Sequence, residues 1–222
     1  MNKAFILANG AFPRRDEALQ ALLQANIVVC CDGAYNKLVD SQLFSRAVSI
    51  PQVYVVGDGD SLGAAATPFP ATFIDKYKDQ DTNDLTKAVR YALSLGVERL
   101  VILGATGLRE DHTLGNISLL ASYAQMPTVS GKPLTVRMYT DYGFFTPVTD
   151  SVTLASFPRQ QVSLFSLDPD IYVSVSGLKY PIEHRCLRYW WEATLNEAIG
   201  DSFSVAIDGS GTVLVYQTHE AK

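Results

Sequence analysis

The 222-residue sequence predicts an α/β first domain built on a mostly parallel sheet, followed by a smaller domain made of strands alone. Three observations carry that expectation. Between Lys3 and Ala124, short apolar runs alternate with stretches of helical periodicity, the order of strands joined by crossover helices. Several of those runs end in an aspartate and a glycine, a turn chemistry that suits the carboxyl end of a buried strand. After about Val148 the helical period disappears, and short β-branched and aromatic runs broken by Pro, Gly and Asp take over. The expected boundary separates residues 1–147 from residues 148–222.

Composition narrows the class. At 47% hydrophobic and 18% charged residues, the chain is globular and can bury a sizeable core. A formal net charge of -5, with no basic cluster longer than Arg14-Arg15, excludes phosphate-driven binding of nucleic acid and suits a cationic small substrate. Three cysteines, two adjacent at Cys30 and Cys31, form neither a disulfide framework nor a Cys-x-x-Cys metal spacing, which points to a reducing, cytoplasmic setting. No run approaches the roughly 18 apolar residues of a membrane span, so no membrane partner is expected.

Taken in order, Lys3 to Ala8 reads as a strand, Asn9 to Pro13 as a loop, and Asp16 to Gln24 as a helix. Ile27 to Cys31 is a second strand, ending in Asp32-Gly33-Ala34 before a short helical stretch through Leu38. Gln52 to Val56 is the third, running into Gly57-Asp58-Gly59-Asp60-Ser61, and Ala71 to Ile74 is a candidate fourth. Asp58 and Asp60 repel each other unless a cation lies between them, so the pair reads as a site for Mg2+ or as an Asp/Gly turn. Leu85, Ala88, Val89, Ala92 and Leu93 set a helical period, with Gly96 as a stop, which places a helix over Thr82 to Leu95. Asp81 and Asp84 share a face of its first turn, as metal ligands, as partners of the helix dipole, or as both.

Arg99 to Leu103 is the fifth strand. It leads into Gly104-Ala105-Thr106-Gly107-Leu108-Arg109-Glu110-Asp111-His112, where a glycine-bearing turn can present N–H groups to phosphate and Arg109 adds a fixed cation. The glycine spacing matches neither the Walker loop nor the dinucleotide fingerprint. Leu114, Ile117, Ala121 and Ala124 are the expected buried face of the next helix, and His112 reads as a structural residue of its first turn. Aspartates thus stand at or just beyond four consecutive strand ends: Asp32, Asp58 with Asp60, Asp81 with Asp84, and Asp111. In a parallel sheet all four face one edge, where open α/β sheets bind their ligands.

This set resembles the thiamine pyrophosphokinase family, through Gly57 to Ser61, Asp79 to Lys87, and Gly104 to Asn116. The likeness extends to Ala8-Asn9-Gly10, Cys31 to Ala34, Gly177-Leu178-Lys179-Tyr180-Pro181 and the neighbourhood of Asn196-Glu197, so it covers nearly the whole chain. The resemblance implies transfer of the pyrophosphoryl group of ATP to the hydroxyl of thiamine, with Mg2+, giving thiamine pyrophosphate and AMP. It implies Asp60, Asp84 and Asp111 as metal ligands, and the same three with Arg109 as the catalytic set. It further implies Asp32, Asp58, Gln80, Asp81, Thr82, Lys87, Tyr180 and Asn196 as substrate contacts, a β-sandwich second domain, and a homodimer with sites at the subunit boundary. The choice of general base among the aspartates stays open.

In the second domain the expected strands are Val152 to Ala155, Val162 to Phe165, Tyr172 to Val175, Phe203 to Ile207 and Val213 to Tyr216, while Lys132 to Pro147 can serve either domain. Tyr180 reads as a core aromatic or as a ring that stacks on the thiamine cation. Leu195 stands where the family often has serine before the asparagine, and Trp190-Trp191, read as strand residues, point to opposite faces. Two alternatives remain at this level: a related Mg-ATP pyrophosphokinase acting on a pterin-like hydroxymethyl heterocycle, and a thiamine- or nucleotide-binding module without turnover.

Overall fold

The computed structural model of the chain describes residues 2–46, 49–57, 70–74 and 82–221, so Asp58, Asp60, Gln80 and Asp81 lie outside the described residues. The chain divides into two compact units, Met1–Leu119 with Gln125–Asp141, and Leu120–Ala124 with Tyr142–Lys222.

The described strands of the first unit are β1 (Lys3–Leu7), β2 (Ile27–Cys31), β3 (Gln52–Val56), β4 (Ala71–Ile74), β5 (Arg99–Leu103) and β6 (Thr135–Tyr139), in the order β6-β5-β1-β2-β3-β4. Every neighbouring pair is parallel, with Phe5 opposite Val28 on one side and Val101 on the other. The helices are α1 (Asp16–Leu23), α2 (Ala34–Asp40), α3 (Asp84–Ser94) and α4 (Glu110–Ala124). Phe5, Leu7, Val28, Cys30, Val53 and Val55 pack on one face of the sheet against Leu22 of α1 and Tyr35 and Leu38 of α2. The alternate residues Ala4, Ile6, Val29 and Val56 are buried as well, on the side of α3, whose Leu85, Ala88, Val89 and Ala92 are buried. Burial on both faces is the reason these strands read as unbroken apolar runs.

The chain lays down β1 to β4 in one direction and then returns to place β5 on the other side of β1. The connections from β1 to β2 and from β5 to β6 therefore run to opposite sides of the sheet, which makes the carboxyl edge between β1 and β5 the topological switch point where such sheets open a crevice.

Two helix expectations change. Helix α3 starts at Asp84, not Thr82, because the Asn83 side chain caps it by accepting the Thr86 N–H at 2.9 Å. In α4 the buried residues are Leu120, Tyr123 and Ala124, while Leu114 is 50% exposed. Only the last turns of α4 cover core; its first half flanks the crevice.

In the second unit, all strand pairs are antiparallel. One sheet has the order β12 (Ala193–Glu197), β9 (Gln160–Ser166), β14 (Val213–Ala221), β7 (Gly143–Val148). The other has the order β11 (Ile182–Cys186), β10 (Tyr172–Ser176), β13 (Ser202–Asp208), β8 (Val152–Ala155). Val162, Leu164, Val213 and Val215 from the first sheet and Val173, Val175, Phe203 and Val205 from the second share one core, which makes the unit an all-β sandwich. The stretch Lys132 to Pro147 supplies β6 to the first unit and most of β7 to the second. Strands β11 and β12 carried no alternating pattern, since each ends its sheet's order and β11 buries none of its residues fully.

Candidate active site

The crevice at the switch point is built from backbone first. The Ala8 N–H donates to the Leu103 carbonyl at 2.9 Å, the Gly10 N–H to the Gly104 carbonyl at 2.6 Å, and the Ala11 N–H to the Thr106 carbonyl at 2.8 Å. The loop after β1 thus continues to pair with the loop after β5 beyond the ends of the strands. A Cβ at position 10 would lie 2.5 Å from the Gly104 oxygen and 2.6 Å from the Thr106 oxygen, so no side chain fits there. Gly104, at φ 65°, takes the left-handed conformation that this turn needs. Beside the paired loops lies a cleft of about 410 Å³, lined among others by Gly10, Cys31, Asp84, Thr106, Arg109 and Asn116.

Asp84 enters the cleft from the first residue of α3, where the helix dipole favours a negative charge. One turn on, Lys87 is buried at 8% exposure, with its ammonium 3.3 Å from Asp84 Oδ1. A cation so enclosed needs a counter-charge, and Asp84 supplies it while keeping its own side chain 44% exposed. Burial, reinforced by the charges of Cys30, Asp84 and Asp32, pushes the Cys31 thiol far above its ordinary range, so Cys31 is an inert neutral wall of the cleft. Asp32 sits beside it, 6% exposed and in a left-handed conformation at φ 32°. Gly57 makes room for it, since a Cβ there would lie 2.6 Å from the Asp32 Cβ.

From the α4 side, Arg109 points its guanidinium at Asp111, Nη2 to Oδ2 at 2.5 Å and Nε to Oδ1 at 3.1 Å. His112 adds its backbone N–H to the same carboxylate at 2.8 Å, with its Nδ1 3.0 Å away. These contacts, the Arg109 hydrogen bonds foremost, hold the Asp111 carboxyl well below the usual carboxylate range and raise Arg109 in turn. Asn116 donates to the Ala105 carbonyl at 2.9 Å and accepts from the Asn83 amide at 3.5 Å, which links α4, the β5 loop and the cap of α3.

Of the residues expected from sequence, the first unit therefore brings Asp84 and Arg109 to one cleft, with Asp32 next to its Cys31 wall. Lys87 is one turn beyond Asp84 and pairs with it; Thr82 precedes the cap residue of α3. Asp111 is at the exposed start of α4, turned to Arg109. Among the described residues, no group of three or more His, Cys, Asp and Glu side chains is assembled to hold a metal ion. In kind, the carboxylates of Asp84 and Asp32 fit a hard cation such as Mg2+, whereas Asp111 could join them only by giving up contacts to Arg109. Asn83, Asn116 and Lys37 were not singled out from sequence. Asn83 could have been, as an asparagine just ahead of a helical period.

In the second unit Tyr180 is 61% exposed and not a core residue; the Lys179 ammonium lies 5.8 Å from its ring centroid. Asn196 is buried at 4% and holds the Tyr180 backbone on both sides, accepting its N–H at 3.0 Å and donating to its carbonyl at 2.6 Å. The amide of Asn196 thus fixes the segment that presents the ring. Leu195 is 77% exposed in a left-handed conformation at φ 58°, next to a register shift between β12 and β9. Trp190 and Trp191 lie in a turn rather than on a strand, because Glu192 accepts the Tyr189 N–H at 2.8 Å and pairs with Arg185 at 3.1 Å. Both indoles are exposed, at 42% and 72%, and Trp190 meets Phe165 edge-on with ring centroids 6.0 Å apart.

Two family models match the chain: the catalytic domain of thiamin pyrophosphokinase over residues 18–129, and the substrate-binding domain of thiamin pyrophosphokinase over residues 143–216. The chain belongs to the thiamin pyrophosphokinase family. It is similar to thiamin pyrophosphokinase 1 of Caenorhabditis elegans, 28% identical over 175 residues that make up 75% of this chain and 68% of the relative. Thiamine pyrophosphokinase 1 of Arabidopsis thaliana is 33% identical over 138 residues, 54% of this chain and 51% of the relative, so the match spans about half the length of the plant protein. The fold is that of the solved thiamin pyrophosphokinase from Candida albicans, with a TM-score of 0.78 at 18% identity, covering 98% of this chain and 90% of that one. The α/β unit with its parallel sheet and the β-sandwich are the architecture of this family.

The Arg109 contact makes a pH prediction. Since the folded-state value of Asp111 lies below the ordinary 3.8, the pair is fully formed above that pH and is lost only as pH falls through the depressed value. Titration of the Asp111 carboxyl by carbon-detected NMR should show its midpoint below 3.8, moving back towards it in Arg109→Ala. An ordinary midpoint in the parent protein would mean that the two side chains do not pair in solution.

Proposed function

We propose that the chain transfers the pyrophosphoryl group of ATP to the hydroxyl of thiamine, giving thiamine pyrophosphate and AMP. The observation that carries this reading is the switch-point cleft, with Asp84 and Arg109 facing into it, in a chain that matches both the catalytic and the substrate-binding models of the family.

ATP is bound by the first unit. The Gly10 and Gly104–Thr106 loops offer a close approach to a phosphate chain, and Arg109 offers a fork of donors that Asp111 already orients. Bound Mg2+ would supply neutralisation of the charge on the transferring phosphates. Asp84 would hold it, with Asp60 and Asp111 as the further carboxylates of the expected set and Asp58 beside them. Asp32, Gln80, Asp81 and Thr82 complete the expected substrate contacts on this side, and Lys87 acts through Asp84.

Thiamine is bound by the second unit. Tyr180 offers its exposed ring to the cation, on a segment that Asn196 fixes. Exposed Trp190 and Trp191 suit an interface between two copies, and we infer a homodimer in a reducing, cytoplasmic compartment. Sedimentation at micromolar concentration should give twice the 24.3 kDa chain mass; a monomer refutes the dimer.

AMP formation from ATP, with and without thiamine, tests the reaction itself. Asp84→Asn, checked for folding by circular dichroism, should lower turnover by roughly a hundredfold or more. A near-normal rate would remove Asp84 from the site, and thiamine binding without AMP release in the parent chain would make the protein a binding module.

For Tyr180→Ala, titration calorimetry should show thiamine binding weakened by ~0.5–2 kcal/mol, about 2- to 30-fold, with Mg-ATP affinity unchanged. Unchanged thiamine affinity would take the ring out of the site.

A further inference from the structure

Lys37 lies on α2, outside every motif that pointed to the site, and its ammonium is placed unusually. Nζ donates to the Asn9 carbonyl at 2.8 Å and to the Gly10 carbonyl at 2.6 Å. Among the described residues no carboxylate lies within ion-pair distance of it, and partial burial lowers its pKa, so a costly charge is spent on two neutral oxygens.

The geometry of the peptide group shows what that charge does. In a planar trans peptide the carbonyl and the following N–H point in opposite directions. The Asn9 carbonyl shares its peptide with the Gly10 N–H, which is bonded to Gly104, and the Gly10 carbonyl shares its peptide with the Ala11 N–H, which is bonded to Thr106. Two consecutive peptide planes are therefore gripped on both sides, by Lys37 from α2 and by the β5 loop from the other. A cation on the carbonyl also polarises each peptide and strengthens its N–H as a donor. Gly10, which lacks a Cβ to limit its dihedral angles, is the residue between these planes, so without Lys37 the two bonds to the β5 loop are left to hold it from one side alone.

We propose that Lys37 is a positioning residue for nucleotide binding: by clamping the Asn9–Gly10 and Gly10–Ala11 peptides it holds the β1 and β5 loops in the register that forms the wall of the cleft. The proposal rests on the reading of that cleft as the ATP site. Lys37 itself does not line the cleft and acts only through the two peptides.

The test compares Lys37→Met and Lys37→Arg with the parent chain by two independent readouts: amide hydrogen exchange at Gly10 and Ala11, and calorimetric titration with Mg-ATP and, separately, with thiamine. The expected result for Lys37→Met is faster exchange at both amides and a Kd for Mg-ATP raised about tenfold, with thiamine affinity unchanged. Lys37→Arg, whose fork can reach two carbonyls, should recover most of both losses. Unchanged exchange in Lys37→Met would overturn the clamp. Faster exchange with unchanged Mg-ATP affinity would overturn its role in binding while leaving the cleft reading intact. If the parent chain binds Mg-ATP but neither Asp84→Asn nor Arg109→Ala weakens it, the cleft reading fails instead. Should Lys37→Met not fold, Lys37→Gln, which keeps a donor without the charge, takes its place under the same criteria.

Discussion

Backbone contact between the loops after β1 and β5 is the constraint on which the site of the first unit depends. It exists because the chain reverses its direction of strand addition at β1, leaving two loops side by side with no helix between them. Their three N–H donations extend the pairing of β1 and β5 past the last strand residues, and the approach is close enough that only glycine is admitted at position 10. A wall made of main chain, with no side chain at position 10, lets a phosphate chain approach closely, and because its own bonds already fix it, little ordering is needed on binding.

Charge is arranged around that wall in pairs, each of which orders a group that a polyphosphate or cation would use. Lys87 is buried and its ammonium pairs with Asp84 at the head of α3. Asp111 is exposed, and its value in this state is in aligning the planar guanidinium of Arg109. The asparagines at 83 and 116 tie the two helices that carry these pairs to the β5 loop. Buried Cys31, kept neutral by its surroundings, closes the floor without chemistry of its own.

The second unit spends local strain and buried polarity on presentation. Leu195 keeps a left-handed backbone that costs an L-residue about 1 kcal/mol or more, and its side chain is turned out to solvent. Next to it, Asn196 is buried and gives its amide to the backbone of Tyr180. Glu192 does the same for the turn that carries Trp190 and Trp191. Tyr180, Trp190 and Trp191 are thus exposed aromatics on segments that side-chain hydrogen bonds to the backbone hold in place.

By itself, the sequence determined the alternation of apolar runs and helical periods, and with it the parallel α/β unit, because a strand buried on both faces and a helix buried on one leave distinct periodicities. It also determined that carboxylates and glycines gather at strand ends, so it could be expected before any geometry that Asp84 and Arg109 line one cleft. Strands β11 and β12 were not legible, since an edge strand that buries little has no pattern to show. Only the tertiary structure decided that Lys87 pairs with Asp84 and Asn196 with the Tyr180 backbone, that Tyr180 is exposed while Leu114 is not core, and that Asp111 is engaged by Arg109. The clamp of Lys37 on Asn9 and Gly10 belongs there too, for it joins residues 27 and 28 positions apart through carbonyls that every sequence contains. Periodicity records what each residue must avoid, which is water or its absence; the partner that a polar group finds is set by which loops the sheet order brings together.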